Sequence, residues 1–207
     1  MKLVALGGSL RANSLSTAAM RAALEIARHA GADAELCDLR EIDLPLFLPE
    51  ASIESYSRAA RARVTRLVSL YRHADVMLWA TPTYHGTISG AFKNALDWLQ
   101  LLGDRTPPYL TDKVVGLIST AGGTHGLQAV NTMEFVVRAL RGWAVPLVLP
   151  IPQALRVFQE GRVLDPRIEQ QLRALGHELA RAAQLFGAQA LTTPEASDVE
   201  AQTEPLT

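Results

Sequence analysis

Cysteine is almost missing from this chain: Cys37 is the sole one among 207 residues. A single thiol cannot close an intrachain disulfide or build a cysteine-based zinc site, so a disulfide scaffold and a zinc ribbon are excluded. A reducing compartment, the cytoplasm, is expected. An excess of charge of either sign is missing too. The formal net charge is -1 and no basic block occurs, so electrostatic capture of nucleic acid or of an anionic membrane is not expected. No apolar run approaches a membrane span. The run Leu3 to Leu6 is too short for a secretion signal and leads straight into a glycine turn.

What is present suits a soluble globular protein. Hydrophobic residues make up 48% of the chain and charged residues 20%, enough to bury a substantial core in one domain. Short apolar runs alternate with helix-period segments, the pattern of a parallel sheet covered by helices on both faces. Strands are expected at Leu3 to Leu6, Ala34 to Leu39, Val76 to Ala80, Val114 to Ile118 and Val145 to Leu149. Between them, Leu15, Ala19, Ala22, Ala23 and Ile26 share a helical face, as do Phe92, Ala95, Leu96 and Leu99. Glu41 to Ser57 carries Pro45 and Pro49 and reads as a surface loop before a helix ending near His73. A further helix runs to about Leu140. The last helix opens with Asp165 as cap and Pro166 in its first turn, with Ile168, Leu172, Leu175, Leu179 and Phe186 on its core face. One domain over residues 1–190 is expected, with a polar, acidic tail or partner arm over 191–207.

In a doubly wound sheet, ligands bind outside the carboxyl ends of the strands. Three segments at such ends are built for contact. Gly7 to Ser16 combines small residues, hydroxyls at Ser9, Ser14 and Ser16, the cation Arg11 and the start of a helix, the ingredients of a phosphate site. Serine there also serves as a plain helix cap. Thr81 to Gly90 contains Pro82, Gly86 and Gly90, whose backbone can approach a flat ligand, and Tyr84, which offers an aromatic surface. Alone, this segment reads equally well as a surface loop capped by Ser89, with Lys93 and Asp97 as an i,i+4 pair. Ser119 to Gly126 presents unencumbered N–H groups that suit the carbonyl edge of a planar heterocycle and negative charge developing there; an ordinary strand-to-helix turn would also use glycine.

No Gly-Lys-Ser/Thr follows the first strand and no G-x-G-x-x-G follows any strand, which argues against a P-loop and a dinucleotide Rossmann site. The first loop has no cysteine to act as a phosphatase nucleophile. A phosphate monoester remains.

Taken together, the three loops resemble the NADPH-dependent FMN reductase family of flavodoxin-like proteins. Gly8-Ser9-Leu10-Arg11-Ala12-Asn13-Ser14 matches its G-S-x-R-x-x-S loop. Pro82 to Asp97 matches P-x-Y-x-x-x-x-S/P-G-x-L-K-N-x-x-D, with Phe92 in the leucine position, and Ser119 to Gly123 matches its glycine-rich third loop. The resemblance implies a five-stranded parallel sheet of order 2-1-3-4-5 and FMN as cofactor, reduced by NADPH or NADH. FMN phosphate would rest on Ser9, Arg11, Ser14 and Ser16. The isoalloxazine would lie along Pro82, Thr83, Tyr84, His85 and Gly86, its pyrimidine edge toward Ser119, Gly122 and Gly123. Thr83 departs from the Glu of many relatives, and His85 stands where Asn is frequent.

The resemblance also implies a homodimer or homotetramer, with the helix after the second motif near the contact. Trp98, Leu99, Leu101 and Leu102 are expected to supply an apolar surface for it. Flavin N5 would carry the chemistry and hand electrons to a small-molecule acceptor such as free flavin or a quinone, with no catalytic side chain required. A lone loop histidine is usually a polar surface residue, and a proton role for His85 is the lesser reading. The rivals are a quinone, azo-dye or metal-oxyanion reductase on the same cofactor, a flavodoxin-type electron carrier, and a flavin-free scaffold. Carriers are usually strongly acidic, which this chain is not.

Overall fold

The computed structural model describes residues 2–189, and the expected tail over 191–207 lies outside them. Five parallel strands, β1 (Lys2–Gly7), β2 (Asp33–Asp38), β3 (Val76–Pro82), β4 (Val114–Thr120) and β5 (Trp143–Ile151), form one sheet in the order β2-β1-β3-β4-β5. Each strand but β2 and β5 is almost wholly buried, because helices roof both faces. Side-chain alternation assigns the faces. Val4, Leu6, Met77, Trp79, Val115 and Leu117 point to one core layer. Leu3, Ala5, Leu78, Ala80, Val114 and Ile118 point to the other.

The first layer is closed by α3 (Arg58–His73), α4 (Gly90–Asp97) and α5 (Leu127–Ala139), and the second by α1 (Leu15–His29) and α7 (Pro166–Gln189). In α1 and α7 the backbones come very close. A Cβ at Gly176 would stand 2.6 Å from the Ala23 carbonyl oxygen and 2.6 Å from the Ile26 Cβ, so only glycine lets these two helices touch.

Several expectations hold and some need correction. Asp165 caps α7, accepting from Arg167 N at 2.8 Å. Leu172, Leu175 and Leu179 are buried as expected, with Ile168 and Phe186 packed beside them. The Glu41 to Ser57 stretch is more ordered than a plain loop. It follows the single-turn α2 (Leu39–Ile42) and contains a 3-10 turn (Ile53–Ser55), while Leu44, Phe47, Ile53 and Tyr56 pack on the core. After β5 come the single-turn α6 (Ala154–Val157) and a small hairpin, β6 (Phe158–Gln159) and β7 (Arg162–Val163), none of which alternation revealed.

The apolar surface expected around Trp98 is not there. Trp98 and Leu102 are 2% exposed and Leu99 is fully buried; only Leu101 keeps substantial exposure. The reason is the preceding loop: Phe47 and Tyr56 pack edge-on against the Trp98 ring, each with centroids 5.2 Å away, and Trp98 Nε1 donates to the Pro45 carbonyl at 2.9 Å.

Cys37, on β2, is buried. Burial is the main cause pushing its thiol up to about 12, opposed by the nearby Arg66. A native thiol whose proton is held more tightly than in the unfolded chain adds stability that is present at neutral pH and lost as pH rises through its folded value. Native protein should therefore resist iodoacetamide at pH 8 and react only after denaturation. Rapid alkylation without loss of structure would contradict the burial.

Candidate functional site

The carboxyl ends of β1, β3, β4 and β5 frame a shallow cleft of about 190 Å³. The loop after β1 begins with a clamp. Gly8 N donates to the Ala80 carbonyl at 2.7 Å, and its own carbonyl accepts from the Ser89 hydroxyl. A Cβ at Gly8 would sit 2.7–2.9 Å from Phe92, so the first loop lies directly against the start of α4. Ser89 also caps α4, accepting from Phe92 N at 3.1 Å. One buried hydroxyl thus couples the first loop to the second. Ser89→Ala should cost about 1–2 kcal/mol, through the lost cap and the stranded Gly8 carbonyl. Urea unfolding would measure it; a variant as stable as the parent would refute the coupling.

Within the first loop, Ser9 is buried and its Oγ accepts from Arg11 N at 3.2 Å. Ser14 is the N-cap of α1, accepting from Thr17 N at 3.2 Å, so the plain capping role applies to it. Its Oγ is also 2.9 Å from that of the fully buried Ser16. Among the described residues, the N–H groups of Asn13, Ser14, Leu15 and Ser16 have no protein acceptor, and the exposed Arg11 makes no ion pair. Unpaired donors at a helix start together with a free guanidinium are the groups that suit an anion.

In the second loop, Thr83 N donates to the Thr120 carbonyl at 2.7 Å, and Tyr84 and Thr87 exchange two backbone bonds of 3.0 and 3.1 Å. Between them His85 and Gly86 turn the chain at φ values of 50° and 78°, a tight I′-like turn. Pro82, Thr83 and Tyr84 line the cleft, whereas His85 and Gly86 stand outside its lining, exposed at the tip. The expected i,i+4 pair is present, Lys93 Nζ lying 2.5 Å from Asp97.

The third loop is stitched to the segment after β5. Ala121 N donates to Ile151, Gln153 N to Gly123 and Ala154 N to Ala121, at 2.8–2.9 Å. Gly122 lines the cleft and Gly123 lies beside it, outside the lining. Neither N–H has an acceptor among the described residues, and a Cβ at either would meet nothing within 4 Å. Ser119 behaves differently from its neighbours: it is fully buried and its hydroxyl donates to the Gly126 carbonyl at 2.6 Å, which shapes the loop and keeps the side chain out of the cleft. Ala154 and Leu155 complete the wall. Sequence reading missed them, although the rule of strand carboxyl ends covers the segment after β5 as well.

One further observation tests whether FMN fits. The Thr83 hydroxyl beside the cleft is buried with no hydrogen-bond partner, an arrangement that ordinarily costs about 1–3 kcal/mol unless a ligand or water completes it. With unpaired N–H groups at the phosphate end and at Gly122, the donor set suits a phosphorylated, carbonyl-edged heterocycle. The residues fit.

Sheet order defines a flavodoxin-like doubly wound protein, with a cleft at the strand carboxyl ends. Among solved structures it is similar to FerB, a flavoenzyme NAD(P)H:(acceptor) oxidoreductase from Paracoccus denitrificans, with a TM-score of 0.71 at 21% identity, over 88% of this chain and 97% of that one. The description of the NADPH-dependent FMN reductase family matches residues 1–155. The chain is 29% identical over 177 residues to a probable NADPH:quinone oxidoreductase 2 of Oryza sativa subsp. japonica, covering 84% of both. It is 32% identical over 146 residues to an FMN-dependent NADPH-azoreductase of Staphylococcus aureus, covering 70% of this chain and 74% of that one. The chain belongs to the NADPH-dependent FMN reductase family, and it is an FMN-dependent oxidoreductase that takes electrons from NAD(P)H.

Proposed function

We propose that residues 1–190 form one FMN-binding domain in which the three loops divide the cofactor between them, and that the electrons pass to a flat organic acceptor. Ser9, Arg11, Ser14 and Ser16 would serve the phosphate, Ser14 and Ser16 chiefly through their backbone N–H groups. Pro82, Thr83 and Tyr84 would flank the ring, with His85 and Gly86 forming the turn that carries Tyr84. Gly122 and Gly123 would meet the pyrimidine edge, on a loop whose shape Ser119 holds. The observation that carries this reading is the set of unpaired N–H groups at both ends of one cleft.

When bound, FMN supplies a ring that accepts hydride at N5 and releases electrons to a second substrate. The chain's own part is positioning. N–H groups of the third loop would favour negative charge at the ring edge they face. Tyr84 and Arg11 are the only titratable residues lining the cleft among those described, which supports chemistry without a side-chain acid or base. Exposed Leu155 and half-exposed Tyr84 give its mouth an apolar margin, and relatives are named for quinone and azo substrates; the acceptor is read as a quinone or similar planar compound.

Anaerobic titration of FMN-loaded protein with NADPH and with NADH should bleach the flavin absorbance, and adding a benzoquinone should restore it. No bleaching by either nicotinamide would overturn the reading in favour of an electron carrier, which the family membership does not favour.

Assembly as a homodimer or homotetramer belongs to the same proposal, on a surface other than Trp98. Leu10 is 60% exposed and Leu46 69%, and both border a groove with Ala91 of α4; a partner subunit would cover them. A cytoplasmic location is part of the same proposal, supported by the lone thiol and the nicotinamide donor. Among the described residues no helix is long and apolar enough to cross a membrane.

A further inference from the structure

At the end of the sheet away from the cleft, where β4 and β5 begin, lies a groove of about 420 Å³. One wall is the start of β5, with Trp143 and Pro146; the other is the later part of α7, with Glu178, Arg181 and Leu185. Trp143 is 61% exposed and Leu185 54%, whereas the other two tryptophans, Trp79 and Trp98, are buried. A tryptophan and a leucine left this bare along one groove mark a surface that lacks its partner. The α7 wall lies beyond residue 155, where the family match ends.

A further strand cannot be that partner. β5 is an edge of the sheet, but Pro146 and Pro150 deprive it of two N–H groups and its register with β4 shifts between Val115 and Leu117. Prolines and bulges on an edge strand block another strand from pairing along it. The cover must come as side chains, and the charges say whose. Glu178 and Arg181 stand on the groove about one turn apart on α7, and among the described residues neither has an ion-pair partner. Opposite charges so spaced complement themselves when the same helix crosses antiparallel about a two-fold axis. Glu178 then faces the second copy's Arg181, and Arg181 faces its Glu178. The same register sets Leu185 opposite the second copy's Ala174, which is exposed and small enough to admit it.

We propose that this groove is a contact between two copies of the chain, α7 against α7 about a two-fold axis, with Trp143 closing its side. It is separate from the surface around Leu10 and Leu46, and two different two-fold contacts on one chain close a tetramer. Because the groove lies where the strands begin, the contact leaves the cleft at their carboxyl ends open.

Sedimentation velocity of FMN-loaded protein over a range of concentrations, followed also by tryptophan emission, tests the contact. Emission should shift to the blue as association proceeds, since Trp143 is the tryptophan left to be covered. E178R and R181E should each weaken the association at least about tenfold, because each sets like charges across the axis twice, with FMN affinity unchanged. An equimolar mixture of the two variants should restore it, one copy then presenting two positive charges and the other two negative. Unchanged association in both variants, or a mixture no tighter than either variant alone, would overturn the proposal. So would a parent chain that stays monomeric with Trp143 emission already blue, which would put residues 190–207 over the groove instead.

Discussion

Phe92→Ala should lower the unfolding free energy by about 3–5 kcal/mol, the range for removing a large buried aromatic side chain. Phe92 is fully buried, meets Trp79 edge-on with centroids 5.7 Å apart and planes at 77°, and fills the space beneath Gly8. The truncation opens a void under the first loop, so FMN affinity should fall along with stability. Phe92→Leu restores the residue usual in the second motif and should cost less, about 1–1.5 kcal/mol. Urea unfolding of each variant, with and without FMN, measures both effects. A loss below 1 kcal/mol for the alanine variant would mean that the loop does not rest on this ring.

Arg11→Ala should weaken FMN binding by about 1.5–3 kcal/mol, the value of a hydrogen bond to a charged group. The guanidinium is exposed and free of ion pairs among the described residues, so its removal breaks nothing within the fold, and the melting temperature of the apoprotein should barely move. Riboflavin supplies the control, because without a phosphate its affinity should be the same in variant and parent. Arg11→Lys should recover only part of the loss, since a point charge replaces a bidentate fork. If FMN and riboflavin weakened equally in a fluorescence titration, the phosphate would have to sit elsewhere.

Alternation of apolar runs made the five strands and five long helices readable, because strands buried on both faces leave an unbroken apolar signal and their roofing helices leave a 3.6-residue one. Loop chemistry made the cleft readable in outline: Ser9, Arg11, Pro82, Tyr84 and Gly122 line it or its rim. Contacts made across the fold were not readable. Whether the Ser119 hydroxyl faces a ligand or the Gly126 carbonyl depends on the path of the loop. The same holds for Trp98, whose exposure was decided by a proline-bearing loop some fifty residues earlier in the chain. Four apolar residues among five look like surplus surface until Phe47 and Tyr56 are known to pack against Trp98. The hairpin after β5 escaped because two-residue strands carry no periodicity at all.

The contact between α1 and α7 through Gly176 bears on the order in which the protein can be made. A nascent chain that has emerged as far as Ile151 owns every strand of the sheet, and α3, α4 and α5 can roof one face at once. The other face is only partly covered by α1, and Val114, Ile118 and Val145 on β4 and β5 await α7, which follows every strand of the sheet in the chain. Because α1 also carries unpaired N–H groups that adjoin the first loop, the proposed phosphate site stays on a half-packed support until α7 docks. Cofactor capture is therefore expected to follow the emergence and docking of α7, and until then the bare apolar layer is the part of the chain that a chaperone would recognise.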